Sequence, residues 1–405
     1  MVAFMRSHRL SGVKDSPSTA ITDRARELRQ SGVDIVVLSA GEPDFPTPPH
    51  AMEAARVAAI GGDTKYPPLA GTRALKEAIQ NKFERDNGLR YDFEEIAIAN
   101  GSKQIIVNAL MSTCDPGDEV IIPAPSWIRY VDMVRFAGAV PIRLQCSASS
   151  GFKLVASDIA DAITKKTKWI ILNFPNNPTG AVLSRADIEN LAETLLRYKH
   201  VHVMSDDVYE HLIYDDVETA TMAQIHPSLR ERTLSVNSVS KTYAMTGWRV
   251  GFCGGPRHLI KGIDTVQGQS TSGVSTVGQA AAVAALNGPQ EFLAHNLQTY
   301  RERRDIIVSL LNDVRGIECP SPAGAFYVFP DISACLGKTS RAGRLIQSDG
   351  DFVSALLEEQ HVATVQGSAY SAFGARSHIR ISYAADLATI REGCFRLEQF
   401  SHDLI

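Results

Sequence analysis

Short apolar runs alternate with helical patterns between about residues 95 and 255. Strand-like runs lie at residues 95–99, 119–123, 168–173, 200–204, 233–237 and 249–253. Between them are segments such as 184–198, where Ile188, Leu191, Leu195 and Leu196 recur at helical spacing. Nearly all-apolar strands joined by helices are typical of a parallel sheet covered on both faces. The pattern therefore predicts an α/β fold.

Polar residues cluster where these strands end. The clusters are Asn100-Gly101-Ser102-Lys103, Pro125-Ser126-Trp127, Asn176-Asn177-Pro178-Thr179-Gly180, Asp206-Asp207-Val208-Tyr209 and Ser238-Val239-Ser240-Lys241. In an open α/β sheet the ligand crevice lies beyond the carboxyl ends of the strands. Five such loops at one edge predict a functional site there.

A different pattern begins near residue 290. A charged helical segment at 291–313 precedes a strand-like run at 325–329, a helix near 351–360, a strand at 378–382 and a final helix. We expect a large domain of residues 46–290 and a smaller α+β domain built from 1–45 together with 291–405. The stretch 337–350, rich in Gly, Ser, Thr and Arg, predicts a mobile surface loop near the cleft.

Charge and cysteine usage exclude several classes of function. The 405 residues carry 41 Lys and Arg against 45 Asp and Glu, a net charge of −4, which argues against nucleic acid or an anionic membrane as partner. We find no apolar run approaching the roughly 18–20 residues of a membrane-spanning helix. The six cysteines are scattered without metal-ligand spacing, which predicts free thiols, a cytoplasmic location and no metal.

Lys241 is the strongest candidate for a catalytic residue. A partly desolvated lysine beside another cation has a lowered pKa and becomes a nucleophile toward carbonyl groups, although most loop lysines are simply solvated. Ser238 and Arg249 flank it with a hydroxyl and a guanidinium, which suit a phosphate dianion. Asp206 at a strand terminus would be buried and would need a cation such as a protonated pyridine nitrogen, unless it caps the next helix.

Other positions are weak evidence of function when each is taken alone. Trp127 could stack on a planar ring, and Asn177 lies in a turn made rigid by prolines and glycine, but a lone Trp is more often core. Gly101-Ser102-Lys103 opens a helical stretch, whose free amides could bind an anion. It lacks the spacing of a P-loop, and Gly251 to Gly255 is wrongly spaced for a dinucleotide fingerprint.

Taken together, these motifs resemble the class I/II pyridoxal-phosphate-dependent aminotransferases, most closely the bacterial aspartate/prephenate aminotransferase subgroup. The resemblance rests on the order and spacing of residues 176–180, 205–210, 238–241 and 247–251, and it extends from 39–45 through 65–71 to 378–383. It implies the type I fold of pyridoxal-phosphate-dependent transferases, with a mostly parallel seven-stranded sheet between helices in the large domain. It also implies pyridoxal 5'-phosphate as cofactor.

The resemblance assigns roles by position. Lys241 corresponds to the lysine that forms the internal aldimine and moves a proton in a ping-pong reaction. Asp206 corresponds to the partner of the pyridinium nitrogen, Tyr209 and Asn177 to groups on the ring oxygen, and Trp127 to the stacking residue. Phosphate-binding positions are matched by Gly101, Ser102, Ser238 and Arg249, with Tyr66 reaching the neighbouring subunit's cofactor. Arg380 corresponds to the arginine that grips the substrate α-carboxylate, beneath a loop that contains Gly41.

Substrate and assembly follow from the same resemblance. The subgroup carries G-G-K-Q where this chain has Gly101-Ser102-Lys103-Gln104, and the lysine there binds the distal carboxylate, so Lys103 implies aspartate or glutamate as amino donor. The alternatives are a prephenate or aromatic amino acid aminotransferase and a β/γ-lyase of the same fold. Amino acids and 2-oxo acids are the expected substrates, and Tyr66 implies a homodimer with shared active sites.

Overall fold

A computed structural model of the chain describes residues 7, 10, 12–13, 17–371 and 375–405. Its strands are β1 (Val36–Val37), β2 (Ile96–Ala99), β3 (Glu119–Ala124), β4 (Val140–Gln145), β5 (Thr167–Leu172), β6 (His202–Asp206), β7 (Thr233–Ser238), β8 (Gly251–Gly254), β9 (Tyr327–Val328), β10 (Val362–Ala363), β11 (Val365–Gln366) and β12 (Ile379–Ser382). The α-helices are Pro17–Gln30, Pro49–Ile60, Arg73–Asn87, Ser102–Thr113, Arg129–Phe136, Ala156–Ala162, Arg185–Leu196, Met222–Ile225, Pro227–Arg230, Arg257–Gly268, Thr276–Asn287, Glu291–Asn312, Asp349–Gln360 and Leu387–His402.

The central sheet has seven strands in the order β2-β8-β7-β6-β5-β3-β4. Only β8 runs antiparallel to its neighbours, so the start of β8 lies at the edge where the other strands end. The predicted mostly parallel sheet is confirmed, and the six expected strands agree with the structure to within about two residues. The seventh strand, β4, was not predicted, because it is a partly exposed edge strand with a mixed polar and apolar sequence.

Side chains alternate between the two faces of this sheet. Ile122, Ile171 and Val236 pack against the helices Ser102–Thr113 and Arg257–Gly268 on one face. On the other face lie two further clusters, which use the helices Arg73–Asn87, Thr276–Asn287 and Arg185–Leu196. A sheet buried on both faces holds its loops rigidly, which is what a site at its edge requires.

A separate hydrophobic cluster joins both ends of the chain. It contains Val36 and Leu38 from the N-terminal part and residues of the helices Glu291–Asn312, Asp349–Gln360 and Leu387–His402. β1 pairs with β10, and β11, β12 and β9 form a small antiparallel sheet. This packing is what we expect of a smaller α+β unit, and the boundaries at residues 45 and 290 stay a prediction.

The stretch 337–350 is a surface turn, as predicted, with residues 341–345 exposed, and its mobility stays a prediction. Thr339 and Leu345 form an antiparallel bridge around Gly343, and Thr339 exchanges two backbone hydrogen bonds with Ile405. Ser340 donates to Glu359 at 2.6 Å, and Ile346 is fully buried.

Within the described part of the chain, every helix is too short or too polar to cross a bilayer.

Candidate active site

A cavity of about 650 Å³ lies at the edge of the sheet where the parallel strands end. Segments after β2, β5, β6 and β7 form one wall, and residues 39–42 together with Arg380 form another. Eight residues singled out from the sequence line it, namely Gly41, Ser102, Trp127, Asn177, Asp206, Tyr209, Lys241 and Arg380. Ser39 and Arg380, which are 341 positions apart, therefore meet in this cavity.

Lys241 follows β7 and extends into this cavity. Its Nζ donates a hydrogen bond to the carbonyl oxygen of Gly41, and it lies 5.9 Å from the centre of the Phe326 ring. Burial lowers the pKa of Lys241 to about 8, and the positive charges of Arg380 and Arg249 act in the same direction. Near neutral pH an appreciable fraction of this amine is unprotonated, so it can act as a nucleophile or accept a proton.

Asp206, the last residue of β6, is buried below the cavity. Tyr130 donates its hydroxyl hydrogen to Oδ2, and Asn173 donates to the backbone carbonyl at 3.0 Å. Oδ1 is buried and has no hydrogen-bond partner within the described residues. Burial raises the pKa of Asp206 to about 6, and the hydrogen bond from Tyr130 opposes that rise. A buried carboxylate oxygen without a donor is costly, so this atom is suited to an N–H donor from a ligand.

Arg380 forms the opposite wall. Its Nη1 donates to Asn177 Oδ1 at 3.2 Å and its Nη2 donates to the carbonyl of Ser39 at 2.5 Å, while the buried Nε has no partner in the described structure. The guanidinium carbon lies 4.6 Å from the centre of the Tyr327 ring, and cation–π contact of this kind holds its plane. A planar guanidinium with such fixed orientation can bind a carboxylate through two parallel hydrogen bonds.

Tyr209 lines the same cavity. Its hydroxyl is 2.9 Å from the hydroxyl of Tyr327. Burial raises the pKa of Tyr209 well above its ordinary value, and the neighbouring Tyr327 acts in the same direction. The phenol therefore stays neutral and keeps a hydrogen to donate.

Gly101, Ser102 and Arg249 lie together beside the cavity. Gly101 has φ +91°, and a Cβ there would collide with the Arg249 guanidinium. Arg249 itself has φ +56°, and it donates to the carbonyls of Thr246 at 2.8 Å and Asn100 at 3.2 Å. The helix Ser102–Thr113 begins here with its free amides, which favour an anion. Ser238 lies buried at the end of β7 and accepts a bond from the Ser240 amide at 3.2 Å.

Lys103 is placed differently from its neighbour Ser102. Its Nζ lies 5.1 Å from the centre of the Trp127 ring, and it is not among the residues that line the cavity. Burial lowers the pKa of Lys103, and Arg129 and Arg249 add to that effect. Lys103 therefore lies against Trp127, a residue that lines the cavity.

Tyr66 lies outside the site of this single chain, where 96% of its surface is exposed. Sequence reasoning missed several residues that the structure brings in, namely Thr22, Asp23, Arg26, Ser39, Glu42, Tyr130, Asn173 and Thr246. Tyr130 carries a signal that could have found it, because it follows Trp127 by three positions at the start of one helix. The N-terminal helix carries no such signal, since only its packing turns it toward the cavity.

Comparison with known proteins agrees with this geometry. The sequence profile described as "Aminotransferase class I and II" matches residues 33–397. The chain belongs to this family. It is 50% identical to the aspartate/prephenate aminotransferase of Cereibacter sphaeroides over 98% of this chain and 99% of that protein. It is 48% identical to the aspartate aminotransferase of Rhizobium meliloti over 97% and 95% of the two chains.

Solved structures of this family share the fold. The aspartate aminotransferase of Rhizobium meliloti superposes with a TM-score of 0.96 at 47% identity and covers 100% of both chains. That of Thermus thermophilus, solved with maleate, has a TM-score of 0.90 at 38% identity and covers 98% and 100%. Enzymes of this family generally depend on pyridoxal phosphate and act on amino acids and 2-oxo acids. The sequence-based assignment to the family and to its fold is confirmed.

Proposed function

We infer that this chain is a pyridoxal-phosphate-dependent transaminase that moves the α-amino group of an L-amino acid to a 2-oxo acid. One observation carries the proposal: Lys241, with its lowered pKa, shares a cavity with the buried Asp206 and with Arg380. A nucleophilic amine, a buried anion and a carboxylate-binding guanidinium are the groups that this reaction needs in one place. The names of the relatives favour this activity over a β/γ-lyase.

The residues present fit the cofactor. Asp206 Oδ1 is a buried acceptor that lacks a donor, as a protonated ring nitrogen would supply. Tyr209 and Asn177 offer polar groups for the ring oxygen, and Trp127 offers an aromatic face. The corner of Gly101, Ser102, Ser238 and Arg249 suits the phosphate, because it combines helix amides, a hydroxyl and a guanidinium. When bound, pyridoxal phosphate supplies the electron sink for the reaction.

The protein side of the reaction follows from these positions. Lys241 uses its unprotonated Nζ to accept the α-proton of the substrate and to return it at a neighbouring carbon. Arg380 binds the α-carboxylate and so orients the bond that breaks, with Asn177 Oδ1 holding one arm of the guanidinium. The segment of Ser39 to Glu42 lies against Lys241 and Arg380 and limits the access of water.

The proposed amino donor is aspartate or glutamate. Support comes from relatives named aspartate aminotransferase or aspartate/prephenate aminotransferase and from the basic residues near the cavity. A prephenate or aromatic amino acid preference is the second candidate, because the names of several relatives include prephenate. Lys103, beside Trp127, keeps its predicted role toward the distal carboxylate.

We also propose a cytoplasmic homodimer in which Tyr66 completes the neighbouring subunit's phosphate site. The exposure of the Tyr66 ring supports this, since an isolated chain leaves it with 96% of its surface in water. Sedimentation at assay concentrations tests the assembly, and an active monomer would contradict it. The six cysteines are all free and buried, which supports a reducing compartment.

An absorbance titration tests the function. The purified protein, supplied with pyridoxal phosphate, should show a visible band that L-aspartate abolishes as the amino group passes to the cofactor. If L-phenylalanine abolishes the band and L-aspartate does not, the transaminase activity is supported but the proposed amino donor is wrong. Failure to develop the band would contradict the role of Lys241. Release of ammonia without an amino acceptor would favour the lyase.

A further inference from the structure

The backbone of residues 39–45 contacts both Lys241 and Arg380. The carbonyl oxygen of Ser39 accepts a hydrogen bond from Arg380 Nη2 at 2.5 Å, and the carbonyl oxygen of Gly41 accepts one from Lys241 Nζ. The segment lies so close to the guanidinium that a Cβ on Gly41 would be 3.9 Å from Arg380 Nη1. Because both bonds use backbone atoms, whatever fixes the position of this segment also orients the two cations.

An ion pair anchors the far end of the segment to the helix Glu291–Asn312. Arg303 donates to Asp44 through both arms of its guanidinium, from Nη1 to Oδ1 at 2.7 Å and from Nη2 to Oδ2 at 2.8 Å. The side chains of Arg303 and Asp44 are 8% and 28% exposed. A bidentate pair that is largely shielded from water has a fixed geometry and is stronger than a surface pair. Asp44 is therefore held in one place relative to this helix.

Aromatic contacts extend this anchor to the space beside Lys241. The rings of Phe45 and Tyr300 meet edge to face with centroids 5.2 Å apart, and the guanidinium carbon of Arg303 lies 5.2 and 5.6 Å from their centres. Phe45, Tyr300 and Lys241 also line one small cavity of about 10 Å³. A cavity of that size holds at most about one water molecule. The space between the anchor and the reactive amine therefore leaves little room for movement.

The hydrogen bond from Thr246 to Glu42 is a weaker contact of the same segment. It is 2.9 Å long, and Glu42 is exposed, so water competes with it. The two backbone bonds of the segment go to groups that substrate and cofactor would engage. Of these contacts, the pair of Asp44 with Arg303 is both shielded from water and independent of the ligands.

We propose that Arg303 is a positioning residue, which holds Asp44 so that the backbone of residues 39–42 keeps Arg380 in the orientation that binds a substrate carboxylate. Arg380 has this role under the proposed function, on which the inference rests. Arg303 acts through the segment, since it is not among the described residues that line the large cavity. Its effect should fall on every amino acid substrate alike, because each one brings an α-carboxylate.

Arg303→Met removes the anchor. We expect KM for L-aspartate and for L-phenylalanine to rise together by about fivefold. The value of kcat should stay within about twofold, because Lys241 gives up its bond to Gly41 when the amine reacts. Arg303→Lys keeps the charge and should recover part of the loss. Asp44→Asn should reproduce the effect of Arg303→Met, and the double variant should be no worse than either, since both changes remove the same contact.

Arg304→Met is the matched control. Arg304 is the next residue on the same helix, is 4% exposed against 7% for Arg303, and also binds one aspartate, Asp215, through both arms of its guanidinium. Its guanidinium carbon lies 4.9 Å from the centre of the Tyr214 ring. We expect similar losses of stability in the two variants by chemical denaturation, but a higher KM only in Arg303→Met. Equal rises in KM would mean that packing of the helix alone matters and would overturn the proposal.

Crystal structures of the two variants give a second measurement that does not depend on activity. In Arg303→Met the distance from the Ser39 carbonyl oxygen to Arg380 Nη2 should exceed about 3.5 Å, whereas Arg304→Met should keep the bond. A bond that is retained in Arg303→Met would overturn the proposal, as would an unchanged KM. If the unaltered protein transaminates neither amino acid, the proposed function fails, and the two structures still decide whether Arg303 positions the segment.

Discussion

Tyr130 donates the hydrogen of its phenol to Oδ2 of Asp206, and this bond lies wholly inside the protein. It satisfies one carboxylate oxygen and leaves Oδ1 buried without a donor. It also opposes the effect of burial, which raises the pKa of Asp206 to about 6. Tyr130 therefore keeps Asp206 ionised at neutral pH and directs its other oxygen toward the proposed cofactor site.

Removal of the Tyr130 hydroxyl should move the pH dependence of the reaction. In Tyr130→Phe the pKa of Asp206 rises further, because burial is no longer opposed by the hydrogen bond. Activity then falls at a higher pH than in the unaltered protein, with a loss of about tenfold near pH 6 and less near pH 8. A pH profile of kcat/KM measures the shift. Tyr91→Phe is the control, since Tyr91 is also buried but lies near Ser235, at 3.4 Å, away from the cavity.

The lowered pKa of Lys241 predicts how the protein free of cofactor captures pyridoxal phosphate. Only the unprotonated amine reacts, so the rate should rise with pH up to about 8 and then level off. Stopped-flow absorbance in the visible region measures that rate, with Lys241→Arg as the unreactive background. A rate that still climbs toward pH 10 would mean that the lysine has an ordinary pKa.

Arg380→Lys should weaken every amino acid substrate. Lysine keeps the charge but loses the planar fork that Asn177 and Ser39 hold in place at 3.2 and 2.5 Å. We expect KM for aspartate and for phenylalanine to rise together by about tenfold or more, since hydrogen bonds to charged groups contribute about 1.5–3 kcal/mol. Steady-state kinetics with both substrates provide the test, and an effect on aspartate alone would place Arg380 on the distal carboxylate.

Lys82 stabilises the segment that carries Asp206 and Tyr209. It is 1% exposed and pairs with Glu210, while its Nζ donates to Asn87 at 2.8 Å. Lys82→Met leaves the Glu210 carboxylate without its cation and should lower the free energy of unfolding by about 3–5 kcal/mol. Chemical denaturation measures this loss.

Lys153→Met is the matched control for that change. It pairs with Asp187 at 2.9 Å, but the two side chains are 43% and 32% exposed, so the expected cost is below about 1 kcal/mol. Equal losses in the two variants would contradict the role of burial.

Much of the architecture was predictable from local patterns. Apolar runs predicted six strands of the central sheet, because burial on both faces leaves few polar positions in a parallel strand. The polar loops after them predicted the edge of the sheet where the cavity lies. β4 was not predicted, because an edge strand with partial exposure tolerates polar residues such as Arg143 and Gln145. The bonds that fix the surface turn at 337–350 could not be predicted, because they come from Glu359 and Ile405.

The sequence by itself determined the order of strands and helices along the chain, the family, and the segments that hold Lys241, Asp206 and Arg380. These features depend on periodicity and on local motifs, which can be recognised without knowledge of long-range contacts. The tertiary structure decided that Tyr130 bonds Asp206, that Lys103 lies over Trp127 and that Arg26 lines the cavity. Such relations depend on how one helix packs against distant elements, and a helical pattern specifies which face is buried but not which neighbour covers it.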